Sequence, residues 1–283
     1  MSWSFIACLA LTLGQTPSDG ELMEAARLER LEFFKERAAR FTLTRESAPP
    51  DQQLKLLEDP VLRYDIPERD NGTWDGAMFL WLEETRPVAA ICVGIRKPND
   101  VVAREMSSMS ASPLVCSKSG EVVWNPQTGG MLNLPLDDAP LPSTTAVRRL
   151  TQMRSLARRF SATCYRREVA SELRLLPQPL YRFSDDKRGI VDGGLFALVV
   201  NNDAEILLLL EAVDAKAADK PGWRYALARM SSLDMKVRLD DREVWSIPRY
   251  YTIPSAERKR SSYVEALEGR FTAQAISGKP SPE

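Results

Sequence analysis

From Glu21 to about Leu43 the apolar residues Leu28, Leu31, Phe34, Ala38 and Phe41 recur at three- and four-residue steps, one face of an amphipathic helix. The same stripe returns at Val147, Leu150, Met153, Ala157 and Phe160, and Ser143 or Thr144 is placed to cap this second helix after Pro142. Beyond each helix the period shortens. Gln53–Ile66 and Glu172–Ser184 carry leucines interrupted by Pro60 and Pro179, so each reads as a strand with a kink or an edge, because proline cannot donate to a ladder. Ala77–Leu82 and Val88–Ile95 flank Glu83–Pro87, and Leu195–Val200 and Ile206–Val213 flank the hairpin signal Asn201-Asn202-Asp203. Two more strands are expected in each half, near 101–108 and 113–124, then 223–232 and 234–246.

The two patterns are related residue by residue. Set without a gap, Arg30–Tyr64 and Arg149–Phe183 share eleven of thirty-five positions: Arg30, Leu31, Ala38, Arg40, Phe41, Thr44, Leu54, Leu56, Leu57, Pro60 and Arg63 meet the same residue 119 positions later. Ordinary composition gives about two such matches by chance. At shifted offsets Trp74-Asp75-Gly76-Ala77-Met78-Phe79 answers Val191-Asp192-Gly193-Gly194-Leu195-Phe196, Ala103-Arg104-Glu105-Met106-Ser107-Ser108 answers Ala228-Arg229-Met230-Ser231-Ser232, and Val123-Trp124 answers Val244-Trp245. The expected fold is therefore α+β, two tandem repeats, each an amphipathic helix followed by an antiparallel β-meander of about five strands. The repeats occupy 21–126 and 143–248, with a Gly-, Pro- and Asp-rich linker at 127–142 and a tail at 249–283. In the tail a short helix is expected from Ser255 to Phe271, where Arg270-Phe271-Thr272 echoes Arg40-Phe41-Thr42 as the possible end of a vestigial third helix.

Composition narrows the chemistry. At 283 residues, 44% hydrophobic and 27% charged, the chain has the makeup of a globular protein with material for two cores. Its net charge of −1 leaves any electrostatic partner to a local patch. Residues 1–20 read as an export signal, an apolar run from Phe5 to Leu13 and then small and polar residues, although no Lys or Arg precedes the run; a core-docking or unstructured N-terminus is the other reading. The apolar run Leu195–Leu210 is broken by Asn201, Asn202, Asp203 and Glu205 and is no transmembrane span. Histidine is absent, which removes His-based triads and His-ligated zinc. Cysteines 8, 92, 116 and 164 show no metal spacing; Cys92–Cys116 is the one natural disulfide candidate, set against buried free thiols.

No phosphate-binding loop, dinucleotide fingerprint, nucleophile elbow or calcium loop occurs, so no cofactor, metal or specific nucleic-acid motif is expected. The polar residues common to both copies include Arg63 and Asp75, and Arg182 and Asp192. They read as ion pairs fixing the kinked strand to the next hairpin, with Asp-Gly as turn chemistry, or else as a charged site. Trp223, Tyr225 and Leu227 share a strand face, as core fillers or as a stacking platform. The second helix region is unusually basic: Arg148, Arg149, Arg154, Arg158, Arg159, Arg166 and Arg167 precede the first acid, Glu168. Arg154, Arg158, Arg166 and Arg167 are the candidate ligand-binding residues, for an anionic polysaccharide or a membrane surface, against a plain solvated face.

The segments RLTQMRSLARRFSA, LRLLPQPLYRF, DGGLFALV with LLLLEA, and WRYALARMSS with EVW resemble a family of exported proteins of planctomycete-type bacteria, over most of residues 54–245. The resemblance implies export and a bacterial origin; it carries no activity and no functional residues. Taken together, the sequence points to a non-enzymatic extracytoplasmic binding or interaction protein for an anionic or apolar ligand. A carboxylate-dependent hydrolase of cell-wall or polysaccharide material, using Glu105, Asp75 or Asp192, is the alternative, since such carboxylates need no local motif.

Overall fold

The computed structural model describes residues 18–49, 51–69, 72–127, 133–214 and 221–273. Residues 1–17, most of the expected export signal, together with part of the 127–142 connection and the end of the tail at 274–283, lie outside the described residues.

In the first half, helix α1 (Asp19–Ala38) leads into strands β1 (Phe41–Arg45), β2 (Lys55–Leu56), β3 (Leu62–Arg69), β4 (Gly72–Glu83), β5 (Arg86–Arg96), β6 (Val101–Ser108), β7 (Leu114–Lys118) and β8 (Glu121–Trp124). A two-residue strand, β9 (Leu134–Pro135), precedes helix α2 (Ala146–Ala157). Strands β10 (Phe160–Arg166), β11 (Val169–Leu175), β12 (Tyr181–Asp185), β13 (Ile190–Val200), β14 (Asp203–Val213), β15 (Gly222–Arg229), β16 (Asp234–Leu239) and β17 (Arg242–Ile247) follow it. The four-residue helix α3 (Ser255–Arg258) and β18 (Tyr263–Arg270) close the described chain.

Each helix is thus followed by eight strands rather than five. The proline-interrupted stretches each split into two strands, and the residues just after each helix form a strand of their own. Both helices end three residues before the last member of the apolar stripe, and Phe41 and Phe160 begin β1 and β10. A turn lies between, yet both rings return to the core beneath their helix, which is why the spacing looked unbroken. A capping box opens α1: the Glu21 N–H donates to Ser18 Oγ at 3.3 Å and the Ser18 N–H to Glu21 Oε2 at 2.7 Å. At α2 the cap is Thr145, not Ser143 or Thr144, and its side chain makes no cap bond; the entering chain is held instead by the Ser143 N–H donating to Gln152 Oε1 at 2.8 Å.

Most of the pairings recur in both halves; the exception is the β10–β11 ladder, answered among the described residues of the first half by a single bridge, Thr44 to Gln53, so that β1, β7 and β8 form a three-stranded sheet of their own. Strand β1 pairs with β7 and β7 with β8, as β10 does with β16 and β16 with β17. Strands β2 and β3 both pair with β4, which continues to β5 and β6; β11 and β12 both pair with β13, which continues to β14 and β15. These ladders are antiparallel, and the fold is α+β. Each half also receives an edge strand from outside itself. β9, from the expected linker, pairs with β15, and β18, where a helix was expected, pairs with β6. The tail's apolar residues fit a helical period as well as a strand, and the open edge of β6 selects the strand.

Alternation along the strands assigns three apolar layers. On β4, Ala77, Phe79 and Trp81 face α1 with Phe34 and Ala38, while Met78, Leu80 and Leu82 face the other way. On β13 and β14, Phe196, Leu198, Ile206, Leu208 and Leu210 face α2. Leu195, Ala197, Val199, Leu207 and Leu209 meet Met78, Leu80 and Leu82 in the middle. Two large sheets therefore pack face to face, each covered on its outside by its own helix. Strands β5 and β14 are buried on both faces, which explains their continuous apolar runs. Cys92 faces the middle layer and Cys116 the α1 layer; both are buried free thiols, with the sheet between them. Among the described residues no helix is long and apolar enough to cross a membrane.

Candidate functional site

At one end of the middle layer the packing stops short, and a cavity of about 370 Å³ remains between the two halves. Its walls include Arg45 from the end of β1, Arg86 from the start of β5, Ser110 from the β6–β7 connection, Arg188, and Glu211 and Arg224 from β14 and β15. Topology accounts for the convergence. The β4–β5 turn projects beyond the first sheet and is gripped by the 3-10 turn Asp186–Arg188 of the second half: Lys187 Nζ lies 2.6 Å from Glu84 Oε1, and Thr85 Oγ1 donates to the Ser184 carbonyl.

Three carboxylates organise these guanidinium groups. Glu83 accepts two hydrogen bonds from Arg45, Nε to Oε1 at 2.9 Å and Nη2 to Oε2 at 2.6 Å, and a third from Arg188 Nη2. That grip, above all the hydrogen bonding from Arg45, holds the Glu83 carboxyl below its usual range despite partial burial. Arg188 also donates to Asp185; burial works against its charge, but the Asp185 hydrogen bond and the charges of Glu83 and Asp185 outweigh it and raise its pKa. Arg86 Nε donates to Glu211 Oε1 at 2.7 Å, and both residues are buried. Arg224 stands opposite Glu211 in the β14–β15 ladder without forming an ion pair to it or to any other carboxylate among the described residues. Four guanidinium groups so line one cavity and three carboxylates hold three of them, leaving a positive site that also offers the amide of Asn133, while the Ser110 hydroxyl is taken up by Arg45 and by the Ser112 backbone.

The residues singled out from sequence lie elsewhere. Arg63 donates to Asp75 through Nε at 3.0 Å and Nη2 at 2.9 Å, and Arg30 of α1 donates to the same carboxylate. Arg182 donates to Asp192 through Nε at 2.8 Å and Nη2 at 2.6 Å, and Arg149 of α2 donates to it at 2.9 Å. The remaining reach of each arginine is also alike, Arg63 to the Arg27 carbonyl and Arg182 to the Ala146 carbonyl. These carboxylates tie helix to sheet, and two guanidinium groups on each leave little of it for acid–base work. Asp75-Gly76 and Asp192-Gly193 sit inside β4 and β13, so the expected turn chemistry does not apply.

Arg154 is part-buried and donates to Gln178, whereas Arg158 is exposed. Arg166 and Arg167 are at the far end of β10, about 20 Å from Arg158 at the usual rise per strand residue, so the four do not form one patch. Trp223, Tyr225 and Leu227 belong to the α2 core rather than to an exposed platform. Neither Glu105, Asp75 nor Asp192 lines this cavity or the groove beneath α1. Among the described residues no group of three or more metal-ligating side chains could hold an ion.

Sequence reasoning passed over Arg45, Arg86, Arg188, Arg224 and Glu211. The available signal was Glu211 itself, an acid directly after Leu207–Leu210 in a strand too apolar to face water, which demands a buried partner. Comparison with protein-family models and with curated proteins returned no match.

Proposed function

We propose that the chain is a non-enzymatic binding protein, working outside the cytoplasm, that holds a small anionic ligand in the arginine-lined cavity between two copies of one helix-plus-sheet unit. The observation that carries this reading is Arg224, a guanidinium directed to a cavity already lined by Arg45, Arg86 and Arg188 and left without a carboxylate partner among the described residues. A volume of about 370 Å³ lies at the small end of ligand sites, enough for a phosphorylated or multiply carboxylated small molecule. The copy relationship is supported by the recurring strand pairings and by the matched Arg30–Asp75–Arg63 and Arg149–Asp192–Arg182 clusters. Export rests on the residue pattern at 1–20.

The test is thermal unfolding with inorganic phosphate and with citrate, for the native protein, for Arg224→Gln, and for Arg154→Glu/Arg158→Glu as a control on the α2 flank. Anion-dependent stabilisation is expected in the native protein and in the control, reduced in Arg224→Gln and weakened by added salt. Absence of stabilisation by either anion, or equal stabilisation of Arg224→Gln, overturns the proposal. Loss in the α2 variant alone would move the site to that helix.

A further inference from the structure

A second opening lies on the outer side of the first sheet, where α1, β1 and the β2–β3 connection separate. It is a groove of about 520 Å³. Its floor is Phe41, Phe79 and Trp81, and its sides are Leu54, Leu56 and Leu57. It exists because the chain changes partners there. The pairing of β1 with the segment before β2 is a single bridge, Thr44 to Gln53, after which the chain turns away and β2 pairs with β4. Among the described residues Phe41 and Thr42, at the start of β1, have no strand partner on that side.

The rim is acidic. Lys35 is its one cation among the described residues, and it is already engaged by Asp59 at 3.0 Å and by Glu32 at 3.4 Å. Glu36 and Glu58 are exposed and have no cationic partner among the described residues. The corresponding places in the second half are occupied differently. By the ungapped register Lys35, Glu36, Ala39, Glu58 and Asp59 become Arg154, Ser155, Arg158, Pro177 and Gln178, and Arg154 donates to Gln178. The acidic rim therefore belongs to the first half alone, and the shared packing does not require it.

We infer that this groove binds a hydrophobic cation, a ligand with an apolar body seated on Leu54, Leu56 and Leu57 and a positively charged nitrogen held at the rim by Glu36 and Glu58. Apolar walls release water from the body, while rim carboxylates without a cationic partner among the described residues favour an ammonium over an anion or a neutral polar head. The volume is within the usual range of about 300–1,000 Å³ for small-molecule sites. This site is separate from the arginine cavity, and neither proposal depends on the other.

The probe is octyltrimethylammonium, titrated calorimetrically below its micelle concentration and compared with butyltrimethylammonium and with neutral octyl glucoside. One saturable site is expected for the octyl cation, at least about tenfold weaker binding of the butyl cation, since each buried methylene contributes about 0.8 kcal/mol, and much weaker binding of the glucoside. Glu36→Gln/Glu58→Gln alters exposed residues and should leave folding intact. It is expected to weaken the octyl cation by about three- to tenfold and to reduce its salt dependence. Absence of saturable binding, equal affinity for the glucoside, or an unchanged affinity in the double variant each overturns the inference.

Discussion

Arg86 and Glu211, 125 residues apart, meet across the seam between the two sheets, with Arg86 Nε donating to Glu211 Oε1 at 2.7 Å and the Glu211 side chain only 1% exposed. A carboxylate at that depth depends on its partner, because removing one member of a buried pair leaves an uncompensated charge in an apolar layer. Arg86→Met is expected to cost about 3–5 kcal/mol, and the double change Arg86→Met/Glu211→Leu to recover most of it. Urea unfolding of the three proteins measures both. A single variant within about 0.5 kcal/mol of native would show that Glu211 is satisfied by other means.

Phe160 begins β10 beneath α2, with its ring 5.1 Å from that of Tyr225, and Phe41 holds the equivalent place beneath α1. Truncating either leaves a cavity that close-packed neighbours fill only partly. Phe160→Ala and Phe41→Ala are each expected to lose about 3–5 kcal/mol in chemical denaturation. A loss under about 1 kcal/mol in either would mean that its helix and sheet do not share a core there.

These two cases mark what could be read in advance. The apolar stripe, its recurrence and the hairpin around Asn201 were legible because they are local periods, and a period survives even where helix gives way to strand at Phe41. The Arg63–Asp75 and Arg182–Asp192 pairs were legible because each appears in both halves at nearly the same spacing. The cavity was not. Its residues come from separate elements and meet only when the sheets stack, so neither the partner of Arg86 nor the openness of Arg224 leaves a local trace. The role of β18 was hidden for a related reason: its pairing is settled by the vacant edge of β6, not by its own residues.

Gly76 and Gly193 answer each other, and each lies under an aromatic ring from the neighbouring strand. A Cβ on Gly76 would stand 2.4 Å from Tyr64 Cζ, and one on Gly193 would stand 2.5 Å from Phe183 Cζ. Both rings are buried in the middle layer and have little room to withdraw. Gly193→Ala and Gly76→Ala are expected to destabilise by about 1–3 kcal/mol through overpacking, and Phe183→Leu should relieve part of the penalty in the first. Gly222→Ala, with open space around the added carbon, is the control and should be near neutral. Thermal melts that rank Gly222→Ala with the other two would refute the close approach.

The remaining prediction concerns Glu105 on β6, whose ladder neighbours are Cys92 on β5 and Glu265 on β18. The Tyr263 hydroxyl donates to Glu105 Oε1 at 2.8 Å and also reaches Glu265 Oε2 at 3.2 Å. Burial first, then the charges of Asp203 and Glu265 and more weakly that of Glu205, push the Glu105 carboxyl up to about 8, against the lowering effect of the Tyr263 hydrogen bond. The folded protein therefore holds a proton that the unfolded chain, with an ordinary value of 4.5, gives up much earlier. Where the folded state binds more protons than the unfolded one, stability falls as pH rises. The contribution is complete below the unfolded value, declines as pH climbs from about 4.5 and is gone above about 8. Glu105→Gln keeps the shape and a neutral head group and should remove this slope, so that native protein and variant diverge most at alkaline pH, with the variant the more stable. Urea midpoints for both proteins at several pH values between 4.5 and 9 measure it, with the window fixed by the two pKa values. Parallel curves for the two proteins over that range would show that Glu105 does not carry the buried proton.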